Sequence, residues 1–300
     1  MPDLSTIRKF QNLELLAKEL VEGFITGLHR SPYHGFSVEF AEHKLYNYGE
    51  STKPIDWKVF ARTDRLYTKQ YEEETNLRCT ILLDTSNSMY YPKPGHEKIV
   101  FSIYAAAALS LLMTKQRDAV GLVTYDEVIR YQSEQKSTRI HFNRLLQHYD
   151  QLLTSTPPKH PTNTATCLHS IADKLHKRSL VILFTDMFQQ NEDLQQIFAA
   201  LQHLKHNKHE ILLFHVSDYQ TERDFEFEDR PYRFTDLESN ETMTLQPHQV
   251  KEAYKKHMSA FYEEIKLGCG KLKIDFIEAD TKDPFDKILG AYLIKRRKMQ

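Results

Sequence analysis

The sequence predicts a doubly wound α/β fold: a mostly parallel sheet with helices on both faces, preceded by an N-terminal helix and a β-rich leader. Three observations predict it. The runs "RCTILLD", "SLVILFTD" and "EILLFHVSD" are short and continuously apolar, as strands buried on both faces are. Segments with helical spacing alternate with those strands, the order that builds a parallel sheet. The strand runs also end in aspartates, Asp84 and Asp186 among them, and ligands of open parallel sheets bind at the carboxyl ends of strands.

Composition sets the outer bounds. The chain has 300 residues, 40% of them hydrophobic, enough for one large domain or one and a half. Forty basic and 41 acidic side chains leave a net charge of -1, a balance that gives no reason to expect nucleic acid or an anionic membrane as partner. The three cysteines, Cys79, Cys167 and Cys269, are far apart and form neither a CxxC pair nor a disulfide framework, so a reducing compartment is expected. No apolar run reaches the roughly 20 residues that span a bilayer. "MPDLSTIRKFQNLELLAKEL" is charged throughout and lacks the apolar region of a signal peptide. The expectation is a cytoplasmic protein with no membrane span.

Taken in order, residues 4–27 place Ile7, Phe10, Leu13, Leu16, Leu20, Phe24 and Ile25 at helical intervals, with Gly27 as the stop. Short strand patterns broken by Gly49 and Pro54 follow, and residues 1–76 are read as helix plus leader. Residues 77–300 are read as the α/β domain. "RCTILLD" is its first strand, and "EKIVFSIYAAAALSLLMTKQ" is a helix whose alanines allow close packing on a sheet. "DAVGLVTYDEVIRYQS" gives two strands about a tight turn at Asp126-Glu127, making one strand of about six antiparallel. After the polar loop "STPPKHPTNTAT", helix Cys167–Leu175 leads to "SLVILFTD". Then come helix "EDLQQIFAALQHLKHNKH", strand "EILLFHVSD", helix "PHQVKEAYKKHMSAFYEEIKLGC", strand "KIDFIEA" and helix "DPFDKILGAYLIKRR". Residues 218–246 are polar, acidic and hairpin-like, and are read as an insertion.

The loops at two of these strand ends offer Asp84, Ser86, Ser88, a threonine of "PTNTAT" and Asp186, which are oxygen donors only. Hydroxyls and carboxylates suit hard divalent cations, Mg2+ above all. Serines two and four residues after Asp84 can turn both hydroxyls to one point. Few carboxylates among such donors leave a cation under-neutralised, favouring one more anionic ligand, an Asp or Glu of a protein partner. That chemistry points to adhesion rather than turnover.

With those residues in view, the chain resembles the von Willebrand factor A domain, whose metal-ion-dependent adhesion site reads DxSxS, then a threonine, then an aspartate. "DTSNSM" matches the first part and Asp186 in "FTDMF" the last, with Thr162 the better-spaced threonine and Thr164 its rival. Upstream, Gly49-Glu50, Ile55-Asp56-Trp57, Ala61-Arg62 and the acidic run Glu72 to Glu74 resemble the leader of the domain-of-unknown-function-58 family. Where many members have an aspartate and a preceding proline, this chain has "YGE", which implies a differently shaped turn. The resemblance spans about residues 25–290. It implies a metal site of Asp84, Ser86, Ser88, Thr162 and Asp186 holding Mg2+ or Mn2+. It also implies a non-enzymatic adaptor or co-chaperone of a MoxR-type AAA+ ATPase.

Two other function classes compete. A metal-dependent phosphoryl-transfer hydrolase would use Asp84 as nucleophile, as the strand end "ILLDTSNS" resembles that of haloacid-dehalogenase-type phosphatases. Position +2 is Ser86, which cannot serve as acid/base, and no suitably placed lysine motif follows. A metal-independent structural subunit is the third class, separated from the first by chelation. "DTS" also resembles the aspartic-protease triplet, but one copy followed by a helix does not make a carboxylate pair.

Other features have ordinary explanations. His203, His206 and His209 fall at a solvated helix end without acidic or cysteine companions. Lys295 to Lys298 suit a helix C-terminus. Glu72 to Glu74 fit either a partner face or a protected strand edge. Trp57 is read as a packing anchor and Asp126 as a turn residue. Asp118 falls at the end of the sheet opposite the metal.

Overall fold

The computed structural model describes residues 12–30, 43–45, 60–62, 66–69, 77–157, 163–188, 194–235 and 241–299. Thr162, Gly49-Glu50, Ile55-Asp56-Trp57 and the acidic run Glu72 to Glu74 lie outside them. The chain divides into two compact units, residues 1–25 with 77–300, and residues 26–76. In the smaller unit β1 (His43–Leu45) pairs antiparallel with β2 (Tyr67–Lys69).

Helix α1 (Leu13–Arg30), which belongs to the larger unit as far as Ile25, begins where the Asn12 side chain accepts from the backbone N–H groups of Glu14 and Leu15. Leu13, Leu16, Ala17, Leu20, Val21 and Phe24 form its buried stripe. The helix runs past Gly27, the expected stop. One glycine costs a helix only about 1 kcal/mol, too little to end one that is already packed.

The main sheet contains β3 (Arg78–Asp84), β4 (Ala119–Tyr125), β5 (Ile129–Gln132), β6 (Leu180–Thr185), β7 (Glu210–Ser217) and β10 (Asp275–Asp280), in the order β10-β7-β6-β3-β4-β5. All pairs are parallel except β4 with β5. Every residue of β6 is buried, which is why its sequence shows no alternation. The chain leaves β3 for β4 on one side and later returns to lay β6 on the other. The switch point therefore falls between β3 and β6, the two strands that end at Asp84 and Asp186.

One face of the sheet is covered by α4 (Thr164–Lys174), α5 (Leu194–His206) and α6 (Pro247–Lys271). Leu168, Ile171, Ile197, Leu201 and Ile265 meet Leu82, Val181 and Leu183 there. The other face is covered by α2 (Glu97–Lys115), α3 (Arg139–Leu153) and α7 (Asp286–Met299), with Phe101 of α2 stacked on Phe285 at 4.9 Å. Helix α3, capped by Thr138, was not among the elements read from the sequence. Among the described residues α2 alone is long and apolar enough to cross a membrane, and 83% of its apolar window is buried inside the molecule.

At the amino ends of β3 and β4, Asp118 is fully buried. It accepts from Leu77 N at 3.1 Å, Tyr292 Oη at 2.9 Å and Arg296 Nε at 2.7 Å, tying α7 to the sheet. All three cysteines are buried thiols outside any disulfide, on β3, α4 and α6. Strands β8 (Tyr232–Thr235) and β9 (Thr242–Leu245) form the expected antiparallel hairpin. The residues that lead into it, Tyr219–Arg223, instead form a π-helical turn docked beside the sheet.

Candidate functional site

The site is built on the two strand ends at the switch point. Strand register sets Leu83 opposite Phe184, so the next pair is Asp84 and Thr185. Asp84 is fully buried. Its Oδ2 accepts from Thr185 Oγ1 at 2.6 Å and its Oδ1 from Ser86 N at 2.9 Å. Thr85 pins the loop from the other side, donating to Tyr125 O through both its backbone N (2.8 Å) and its hydroxyl (2.9 Å). The chain then enters a 3-10 turn at Asn87–Tyr90 that brings Ser88 back over Ser86, with the two hydroxyls 3.1 Å apart. The alternating spacing of Asp84, Ser86 and Ser88 thus becomes one contiguous set of oxygens.

Thr164 is buried at the first residue of α4. Asn163 caps that helix by accepting from Thr166 N at 3.2 Å, and its own N–H donates to Asp126 O at 3.3 Å. Asp126 is therefore more than a turn former. Its carboxylate holds Val128 N and Arg130 while its carbonyl anchors the start of α4.

Asp186 lies directly after β6 and has both oxygens engaged: Oδ1 accepts from Phe188 N at 3.1 Å, Oδ2 from Lys98 Nζ at 2.8 Å. Lys98 is fully buried and also donates to Glu222 Oε1 at 2.5 Å. Glu222 belongs to the π-helical turn, and its other oxygen accepts from Asp218 N at 2.8 Å. The sequence reading missed both residues. Lys98 opens the helix "EKIVFSIYAAAALSLLMTKQ" with no mark of its pairing, and Glu222 falls within the polar, acidic segment 218–246. The available signal was a lysine leading a helix that is otherwise apolar for most of its length, since lysine is almost never fully buried unless paired. Lys98 does not restore phosphoryl transfer, because both of its ion pairs close within the chain and position +2 is Ser86.

Burial pushes the Asp84 carboxyl up to about 7, helped by the negative charge of Asp186 and opposed by the bonds from Thr185 and Ser86. Burial alone would lower the Lys98 ammonium, but the charges of Asp186 and Glu222 and their hydrogen bonds prevail and its pKa is raised. Asp84, Asp186 and Glu222 against one lysine leave the cluster with surplus negative charge when all are ionised.

Among the described residues no three His, Cys, Asp or Glu side chains are grouped to hold a metal ion. The donors at Asp84 are of another kind, one carboxylate with two hydroxyls, and they fit a small hard cation. Beside the site, burial pushes the Tyr125 phenol well above its ordinary range, with the charges of Asp84 and Asp186 adding to it and Thr185 opposing it. The two ends of the site differ: the Asp84 end presents hydroxyls, whereas Asp186 already faces an internal ammonium.

The profile of the family described as "Protein of unknown function DUF58" matches residues 42–263. The chain belongs to this family. The strand order is that of a doubly wound α/β sheet. Among similar curated proteins, the "Uncharacterized protein Rv1480" of Mycobacterium tuberculosis is 24% identical over 212 residues. That match covers 69% of this DUF58 chain and 64% of the relative's length. BatB from Bacteroides thetaiotaomicron has a TM-score of 0.42 at 12% identity, over 75% of this chain and 100% of that one. A von Willebrand factor type A protein from Catenulispora acidiphila has a TM-score of 0.38 at 16% identity, over 51% of this chain and 34% of that one.

Proposed function

We propose that this chain is a non-enzymatic, Mg2+-dependent protein-binding module of the cytoplasm, an adaptor or co-chaperone of a MoxR-type AAA+ ATPase. The observation that carries the metal-dependent part is the joined oxygen set of Asp84, Ser86 and Ser88 at the switch point of the sheet. A divalent ion there would supply Lewis acidity and a coordination position for an incoming carboxylate. Asp84 would hold it by charge and the two serines by neutral oxygens. Ser86 and Ser88 contribute no charge, so an Asp or Glu side chain of the partner completes the neutralisation. The absence of an acid/base group at position 86 favours binding over turnover. The ATPase assignment rests on the family resemblance alone.

A pull-down with this chain as bait, run with Mg2+, with chelator and with Asp84→Asn, tests the reading. An AAA+ ATPase retained only with metal and the intact aspartate is the expected result. The same proteins retained in all three arms would favour the metal-independent structural subunit instead. The internal ion pair of Asp186 with Lys98 is the observation on that reading's side.

A further inference from the structure

Lys98 occupies a place built for a cation. Its ammonium lies between two carboxylates, at 2.8 Å from Asp186 and 2.5 Å from Glu222. The rings of Tyr91 and Phe188 close over it, with centroids at 5.6 and 5.5 Å. None of it is exposed to solvent. The loop that carries Ser86 and Ser88 also delivers Lys98. The 3-10 turn ends at Tyr90, whose carbonyl meets His96 Nδ1 at 2.7 Å, and Lys98 N donates to Tyr91 O at 3.2 Å. The oxygen donors and the internal cation therefore belong to one folded segment, Asp84 to Lys98, and Asp186, whose charge acts on Asp84, holds the cation.

We propose that Lys98 is a built-in counter-cation that competes with the divalent ion for the negative charge of Asp186, and so sets the metal affinity of the site. The inference rests on the metal-dependent reading above and adds to it a residue that no DxSxS pattern contains. A fixed positive charge held on Asp186 repels a dication at Asp84, and it ties up the carboxylate that would otherwise help to hold the ion. With Lys98 in place the site holds metal weakly, and an anion brought by a partner offsets the repulsion. Glu222 is the second anchor: it keeps the ammonium in its cage and links the π-helical turn Tyr219–Arg223 to the charge of the site. Lys98 is a positioning residue, since it acts on the metal through Asp186.

The test is a Mn2+ titration of the full chain, with free Mn2+ followed by electron paramagnetic resonance at fixed pH and ionic strength. The proteins compared are the parent, Lys98→Met, Glu222→Gln, the Lys98→Met/Glu222→Gln double variant and Asp84→Asn. Removing the positive charge held on Asp186 is expected to tighten Mn2+ binding about tenfold or more. The same gain is expected from Glu222→Gln to the double variant, where the charge pair is removed as a unit. That second comparison decides the matter if Lys98→Met alone does not fold. Equal or weaker binding without Lys98, alongside a parent affinity that Asp84→Asn abolishes, overturns the role of Lys98 and leaves the metal site standing. No Mn2+ bound by either the parent or the lysine-free variants overturns both readings.

Discussion

His215 is fully buried on β7, with the rings of Tyr262 at 5.0 Å and Phe276 at 5.9 Å. Burial lowers its pKa to about 4; the charge of Asp186 pulls upward and that of Lys98 downward. An unfolded histidine titrates near 6.5. Between about 4 and about 6.5 the unfolded chain therefore holds a proton that the folded chain does not. The stability from a neutral His215 is fully present above about 6.5 and is lost as pH falls toward 4, on the order of 3 kcal/mol in all. In the metal-free protein Asp84 acts in the opposite sense, because its raised pKa favours the folded state at the acid side of a similar window. Since the two contributions oppose each other, the expected outcome is a relative one: His215→Phe raises the urea midpoint at pH 4.5 against that at pH 7.5, compared with the parent. An unchanged difference between those midpoints would mean that His215 is not the titrating group. The same contrast explains what could be read at this scale. Asp84, Ser86 and Ser88 lie within five positions of one another, so their convergence was legible. The Lys98–Glu222 pair spans 124 positions, and only the packing of the fold brings it together.

Helix packing decides what single residues do at the level of elements. A Cβ at Gly268 of α6 would come within 2.2 Å of the Phe198 ring of α5, whereas one at Gly270 would meet nothing within 4 Å. Gly268→Ala is therefore expected to cost about 1–3 kcal/mol through overpacking. Gly270→Ala is expected to be neutral or to add up to about 1 kcal/mol through helix propensity. Thermal melts of the two variants check the pair, and equal shifts would contradict this α5–α6 contact. The strands were legible because burial on both faces leaves an unbroken apolar run. Helix α3 was missed although Phe142, Leu145, Leu146 and Tyr149 give it a buried stripe, because its many polar residues and flanking loops masked the period. The segment 218–246 was read as a polar insertion and its hairpin is present. Its leading turn escaped because a buried acid cannot be told from an exposed one until its lysine is known.

For the whole molecule, the sheet order places chemistry and structure at opposite ends. Asp118 clamps α7 at the amino ends of the strands, and the oxygen cluster occupies the carboxyl ends. That polarity was legible in the sequence, because the alternation of strands and helices fixes which strand ends lie together. The grouping of residues 1–25 with the α/β unit was not, since a helical stripe shows that it is buried without showing against what. The three buried thiols give this architecture a use of its own. Burial raises the Cys79 thiol well above its ordinary range, with the Asp118 charge adding to it, and raises Cys269 to about 12. Alkylation must wait for the protein to open, so each cysteine records the opening of its own layer. Cys79 in the central strand should be modified last, at the rate of global unfolding, and Cys167 and Cys269 earlier, as their helices lift. Mass spectrometry of pulse-labelled peptides would time those openings without a single introduced probe, and rapid native labelling of Cys79 would contradict its central place in the sheet.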